Sequence, residues 1–253
     1  MLLNCDLGES FGSWTMGQDE QAMPHIDQAN IACGFHAGDP LVMSHTLALA
    51  KQHGVMVGAH PAYPDLVGFG RRSMNCSQGE IMAFMHYQMA AIDGMAACQG
   101  LALSYVKPHG ALYNDMMAKQ GVRQVIMQAV SSYPTRNNQP PLKLMLQANA
   151  QADEHIREAQ SLGLELYFEA FADRAYEEDG SLMARSKPGA VLDHKAMLKQ
   201  VQQLVNTDTV TSASGTTLRL KVDSLCVHGD NAAGIAAIQD IGLIINNAHA
   251  RTI

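Results

Sequence analysis

Along most of this chain a short run of apolar or small residues leads into a polar cluster, and the cluster leads into a longer segment with helical spacing. The runs fall at about seven places: Leu2 to Leu7, Ala29 to Cys33, Val55 to Ala59, Ser104 to Val106, Leu142 to Leu146, Leu164 to Phe168 and Ser224 to Val227. Runs this apolar read as strands covered on both faces, and strands separated by helices pair in parallel. A doubly wound sheet and a closed (β/α) barrel both satisfy that pattern. The barrel is preferred, because nearly every run ends on its C-terminal side in groups able to do chemistry, where a barrel carries its active site. The expectation is an α/β fold with residues 1–253 as a single, irregular, seven-stranded (β/α)-barrel domain.

Local signals mark the helices. Asp39-Pro40 offers an N-cap followed by proline at the first helical position, and Gly54 closes that segment. Ser77 and Glu80 form a capping box ahead of the Met-rich stretch Ile81 to Cys98, which Gly100 ends. Asp230 is placed to cap a last helix, Asn231 to Ala248. After Ser214-Gly215, Leu218, Leu220 and Val222 alternate with Arg219 and Lys221, so a small hairpin is expected before the final strand.

Only 16% of the residues are charged and 47% are hydrophobic, against roughly 25% charged in an average globular protein, so the chain needs a large interior. Its sixteen methionines are read as pliable core filling. A net charge of -7 argues against nucleic acid as a partner. No stretch approaches the ~18 apolar residues of a membrane span, and no basic leader precedes an apolar segment, so the expectation is a cytoplasmic protein without a membrane partner. The five cysteines are odd in number and never spaced C-x-x-C, which predicts reduced thiols rather than disulfides or a zinc knuckle.

Side chains alternate along a strand, so residues two apart share a face. In the first run Asn4 and Asp6 point one way and Leu3, Cys5 and Leu7 the other. The same parity puts Asn30, His36, His60, Lys107 with His109, Gln147, Glu169, and His228 with Asp230 on the inner side. Burying so many polar groups costs several kcal/mol unless they pair, ligate a metal or meet a substrate, which points to a functional site. His36, His60, His109 and His228 each stand beside Gly or Pro just past an apolar run; His25, His45, His53, His86, His155, His194 and His249 lie in helical or loop segments and are read as structural.

Asp6, His36 and His60 have the chemistry of a set that binds a divalent metal with one position open to water. The same groups can instead hold an amide or carboxylate by hydrogen bonds without metal. Glu9 and Glu169 are candidates for general base, and Lys107 and His109 for stabilising an oxyanion. Asn4, Asn30, Gln147, His228 and Asp230 are candidates for binding substrate, and Arg71, with Arg72, for clamping an anion at the rim. Cys33, near His36, reads as a small buried thiol rather than a nucleophile. No G-x-x-x-x-G-K-[ST] loop is present, and no G-x-G-x-x-G follows a strand.

Seven segments taken together resemble one family. They are Asn4 to Gly12 (NCDLGESFG), Asn30 to Asp39 (NIACGFHAGD), Gly58 to Asp65 (GAHPAYPD), Gly68 to Arg72 (GFGRR), Val106 to Asn114 (VKPHGALYN), Glu169 to Tyr176 (EAFADRAY) and Cys226 to Asp230 (CVHGD). In this order, from the first residues to Asp230, they are similar to the LamB/YcsF family. The resemblance implies a barrel of the glycoside hydrolase/deacetylase kind. It also implies the part of an A subunit in an ATP-dependent 5-oxoprolinase, which opens the lactam of 5-oxoproline to L-glutamate with ATP hydrolysis and needs B and C subunits. ATP as a cofactor comes from the resemblance alone. On that reading Asp6, His36 and His60 would hold water or metal, Glu169 would take the proton, and Lys107 with His109 would meet developing negative charge. Two other readings remain open at this point: a metal-dependent deacetylase or amidohydrolase acting alone, and a non-catalytic scaffold that binds the lactam.

Overall fold

In the computed structural model, which describes residues 1–134, 139–229 and 232–249, the apolar runs become parallel strands of a closed barrel. The elements in chain order are β1 (Leu2–Leu7), α1 (Asp19–Ala22) with a 3-10 turn (Met23–His25), β2 (Gln28–Ala32), α2 (Pro40–His53), β3 (Met56–His60), α3 (Gln78–Cys98), β4 (Leu103–Val106), α4 (Gly110–Ala118), α5 (Gln120–Ser131), β5 (Lys143–Gln147), α6 (Ala152–Gln160), β6 (Leu166–Phe171), α7 (His194–Thr207), β7 (Thr209–Thr211), β8 (Thr217–Arg219), β9 (Ser224–Val227) and α8 (Ala232–His249). The barrel runs β1-β2-β3-β4-β5-β6-β9. It closes where β9 pairs with β1, Asn4 opposite Cys226, and with β6, Glu169 opposite Ser224. The expected hairpin is β7 against β8, a separate antiparallel pair with Val210 opposite Leu218.

The helix ends follow from the chemistry of their caps. Asp39 accepts hydrogen bonds from the amides of Leu41 and Val42, and the left-handed Gly54 ends α2. Ser77 and Glu80 form the capping box at the start of α3. The expected cap of α8, Asp230, lies outside the described residues. Among the described residues no helix is long and apolar enough to cross a membrane.

Strand parity divides the core in two. Outward-facing Leu3, Cys5 and Leu7 join one apolar cluster with Leu47 of α2, Met85 and Met89 of α3 and Ile241 of α8. Methionines 23, 43, 85, 89, 116, 127, 145 and 197 are buried, as core filling requires. Inside the barrel much of the filling is polar: Asn4, Gln28, Asn30, Glu169 and Ser224 have no exposed surface at all. Gly58 leaves the space that the Tyr105 ring occupies, for a Cβ there would run into the ring carbons.

Candidate active site

At the bottom of the site a chain of neutral groups fixes two asparagines. Ser224 donates to Gln28 Oε1 and accepts from Asn4 Nδ2, both at 2.7 Å. Asn30 donates to Asn4 Oδ1 at 2.8 Å and to Asp6 Oδ1 at 2.7 Å, and accepts from the Tyr105 hydroxyl at 2.6 Å. These groups meet no solvent; they aim Asp6.

Above them Lys107 extends from the end of β4 into the barrel. Its Nζ donates to Asp6 Oδ1 at 2.8 Å, lies 3.1 Å from Glu169 Oε2, and is 3.2 Å from the Cys226 sulfur. Tyr113 of α4 donates to the other oxygen of Glu169 at 2.7 Å. Burial alone would depress the ammonium's pKa, but the negative charges beside it, Asp6 first, hold it well above its ordinary value. Burial likewise works to raise the Asp6 pKa, and Lys107 and His60 overrule it, so that carboxylate sits well below its usual range. The Cys226 thiol is pushed well up, chiefly by burial.

Beside this ion-paired centre three imidazoles surround Glu9. His60 Nδ1 is 2.7 Å from the Lys107 carbonyl and His109 Nε2 is 2.9 Å from the Phe69 carbonyl. A carbonyl only accepts, so each of these nitrogens carries a proton. The opposite nitrogens, His60 Nε2 and His109 Nδ1, face each other at 3.0 Å. His36 lies flat on His109, with ring centroids 3.7 Å apart, and its Nε2 is 3.2 Å from Glu9 Oε1. Burial pushes both His36 and His109 well below the ordinary histidine pKa, which keeps them neutral. Gly70 permits the stack: its φ is +63°, and a Cβ there would lie 2.8 Å from His109 Cδ2 and 2.9 Å from His36 Cβ.

A cavity of about 490 Å³ opens over both groups, lined by Asp6, Glu9, His60, Lys107, His109, Tyr113, Phe171 and His228. Its outer wall is the segment between β6 and α7, which contributes Arg174 and Arg185, with Arg71 opposite. Arg174 is tied to the carbonyls of Met183 and Ala190, and the Arg71 guanidinium stands 4.9 Å over the Phe69 ring. His228 stacks on Phe171, and its Nδ1 lies 2.9 and 3.1 Å from the two oxygens of Asp173. A carboxylate there selects the tautomer with the proton on Nδ1 and the lone pair on Nε2.

Several assignments made from the sequence change on this geometry. Asp6, expected beside His36 and His60 as the carboxylate of a metal set, commits Oδ1 to Lys107 and Asn30, and only Oδ2 comes within 3.5 Å of His60 Nε2. Glu9 is the carboxylate that groups with His36, His60 and His109. Glu169, expected to take a proton from water, is sealed behind Lys107 and Tyr113 and does not line the cavity. Asn4 and Asn30, expected to bind substrate, lie beneath it, and Gln147 spends its amide on the Gly180 carbonyl at 3.0 Å. Asp230 lies outside the described residues. Arg72 pairs with Asp65, so of these two neighbours it is Arg71 that lines the cavity. Burial holds the Cys33 thiol up at about 12, which suits a packed thiol. The segment Gly8 to Gly12 spells G-x-S-x-G, yet Ser10 bonds the backbone of Met16 and a turn rather than a helix follows it directly, so it is no nucleophile elbow. Asp173, Tyr113, Arg174 and Arg185 were not singled out from the sequence. Asp173 is two residues beyond Phe171 on the parity that runs from Glu169, a signal that continuing the strand count past its end would have caught.

These features define a seven-stranded (β/α)-barrel protein with a cavity lined by acidic and basic side chains at the C-terminal ends of its strands. The sequence profile of the LamB/YcsF family matches residues 1–252. The chain is 50% identical over 251 residues to the A subunit of 5-oxoprolinase from Pseudomonas fluorescens (strain Pf0-1), covering 99% of this chain and 98% of that one. It is 51% identical over 241 residues to the A subunit of 5-oxoprolinase from Chromohalobacter salexigens, covering 95% and 94%. Among solved structures, the lactam utilization protein of Thermus thermophilus superposes with a TM-score of 0.85 at 35% identity, over 100% of this chain and 96% of that one. The chain belongs to the LamB/YcsF family.

Proposed function

We propose that this chain is the lactam-handling A subunit of a cytoplasmic, ATP-dependent 5-oxoprolinase that opens 5-oxoproline to L-glutamate together with B and C subunits. The observation that carries this reading is one cavity onto which the Lys107 ammonium, fixed by Asp6, and the His228 imidazole, fixed by Asp173, both open. The names of the relatives at about half identity support the substrate class.

A five-membered lactam is an unstrained amide with a poor leaving group, so attack by water alone is slow. Transfer of a phosphoryl group from ATP to the lactam oxygen, with the partner subunits, makes the ring carbon electrophilic. His228 Nε2 takes a proton from the water that adds to that carbon and returns one to the ring nitrogen as the C–N bond breaks. A second water then releases phosphate from the acyl phosphate that results. Lys107 meets the negative charge that gathers on oxygen. Arg71, Arg174 and Arg185 at the rim suit the carboxylate and phosphoryl groups, as guanidinium donors do.

The test is glutamate release from 5-oxoproline and ATP by the chain with and without B and C subunits. Turnover is expected only from the complete assembly with ATP, and Asp6→Asn abolishes it while circular dichroism stays unchanged. Near-normal turnover by that variant refutes the assignment. ATP-independent hydrolysis of acetylated sugars by the chain alone would replace it with the stand-alone reading.

A further inference from the structure

We propose that Glu9, His60 and His109 hold one divalent transition-metal cation, with His36 as the positioning residue that orients Glu9. The proposal goes beyond the lactam reading and does not depend on which amide the site opens.

It starts from the placement of protons. The Lys107 and Phe69 carbonyls fix the protons of His60 on Nδ1 and of His109 on Nε2. The two nitrogens that face each other at 3.0 Å therefore both present lone pairs when the rings are neutral. Glu9 Oε1, a third lone-pair donor, lies 3.4 Å from His109 Nδ1. A proton shared between the imidazoles would serve two of these atoms. A cation serves all three.

The spacing fits. Ligand bonds of about 2.0–2.2 Å in tetrahedral geometry set donor atoms roughly 3.3–3.6 Å apart. The contacts here are 3.0 and 3.4 Å, and all the donors of the cluster lie within 4.8 Å of one another. Two imidazoles and one carboxylate suit zinc and its neighbours better than calcium or magnesium.

Position separates ligands from support. Glu9, His60 and His109 line the cavity, and His36 does not. Three protein ligands with an open side toward a cavity is the arrangement of a metal site that takes water or substrate as its fourth ligand. His36 Nε2 lies 3.2 Å from Glu9 Oε1 and its Nδ1 has no hydrogen-bond partner, so its proton belongs on Nε2, where the carboxylate accepts it. Such outer partners orient a ligating carboxylate. Bound there, the ion would supply Lewis acidity toward an amide oxygen or water.

The experiment uses the full chain stripped with chelator, dialysed, and titrated with Co²⁺ and then Zn²⁺, read by visible absorption and by metal analysis after equilibrium dialysis. No substrate or partner subunit is needed, so failure of the lactam reading leaves this result intact. Uptake of about one equivalent, with the absorption bands of four- or five-coordinate Co²⁺, is expected. His60→Ala and His109→Ala lose stoichiometric uptake; His36→Gln keeps it with affinity weakened within about 10–100-fold, since glutamine retains a donor near Nε2. Should either alanine variant fail to fold by circular dichroism, Glu9→Gln, which removes the charge and keeps the volume, takes its place and is expected to lose uptake as well. Absence of stoichiometric uptake by the unaltered chain overturns the proposal, and so does unchanged uptake by the ligand variants.

Discussion

Replacing Lys107 with methionine removes one charge and leaves two carboxylates facing each other. Asp6 and Glu169, 2.8 and 3.1 Å from the ammonium, then lie buried without their shared counter-ion. Breaking a buried ion pair by deleting one partner costs about 3–5 kcal/mol, a large part of the roughly 5–15 kcal/mol that stabilises a typical domain. At about 2–4 °C per kcal/mol for a chain of this size, Lys107→Met should lower Tm by roughly 6–20 °C. The assay is urea and thermal unfolding followed by circular dichroism. Adding Asp6→Asn leaves a single carboxylate, Glu169, which Tyr113 still holds at 2.7 Å. The double variant should therefore recover at least ~1 kcal/mol, a coupling of the size seen between residues in direct contact. A loss under ~1 kcal/mol for Lys107→Met, or a double variant less stable than the single one, would refute the view that the ammonium is what permits both acids to be buried.

Three further outcomes are expected. Asp173→Asn takes away the acceptor that fixes the His228 tautomer, and kcat in the ATP-dependent assay should fall by about 10³–10⁴ with little change in KM, as when the carboxylate behind a catalytic histidine is lost elsewhere; a loss under tenfold would count against His228 as the base. Gly70→Ala forces a side chain into a left-handed conformation and against His36 and His109, so the urea midpoint should reveal a cost of about 1–3 kcal/mol together with a drop in kcat. The acid limb of stability follows from Asp6: because its folded pKa is depressed, its contribution is complete above the unfolded carboxyl's value near ~3.9 and disappears as pH falls through the lower folded value. Lys107→Met removes that depressing charge, and its acid unfolding should begin at higher pH than in the unaltered chain.

The sequence disclosed the barrel because each strand's burial and each helix's cap are local matters. The run Leu2 to Leu7 became β1 without change of boundary, and Asp39, Gly54, Ser77 and Glu80 play the capping parts their types suggest. Strand parity also sorted the inward residues from the outward ones in β1. Depth along the barrel axis was hidden, since parity tells which way a side chain faces and nothing about how much lies above it. Asn4, Asn30 and Glu169 face inward as expected and still end below the cavity. Partner choice was hidden too. Asp6 and Glu9 are three residues apart on one exit from the barrel, yet the Lys107 ammonium stands 2.8 Å from Asp6 while Glu9 groups with the imidazoles, a division that spacing in the sequence does not reveal. Gln147 points into the mouth by parity, but a carbonyl from a segment over thirty residues later in the chain takes its amide.

One residue bridges the two halves of the site: the side chain of Lys107 grips Asp6 while its main-chain oxygen grips His60. A shift of this single peptide unit would carry the acid pair and the histidine cluster together, like two needles on one spindle. Natural drift or laboratory redesign that retunes one half must therefore reset the other as well, and improvements are expected to arrive as paired substitutions rather than singly.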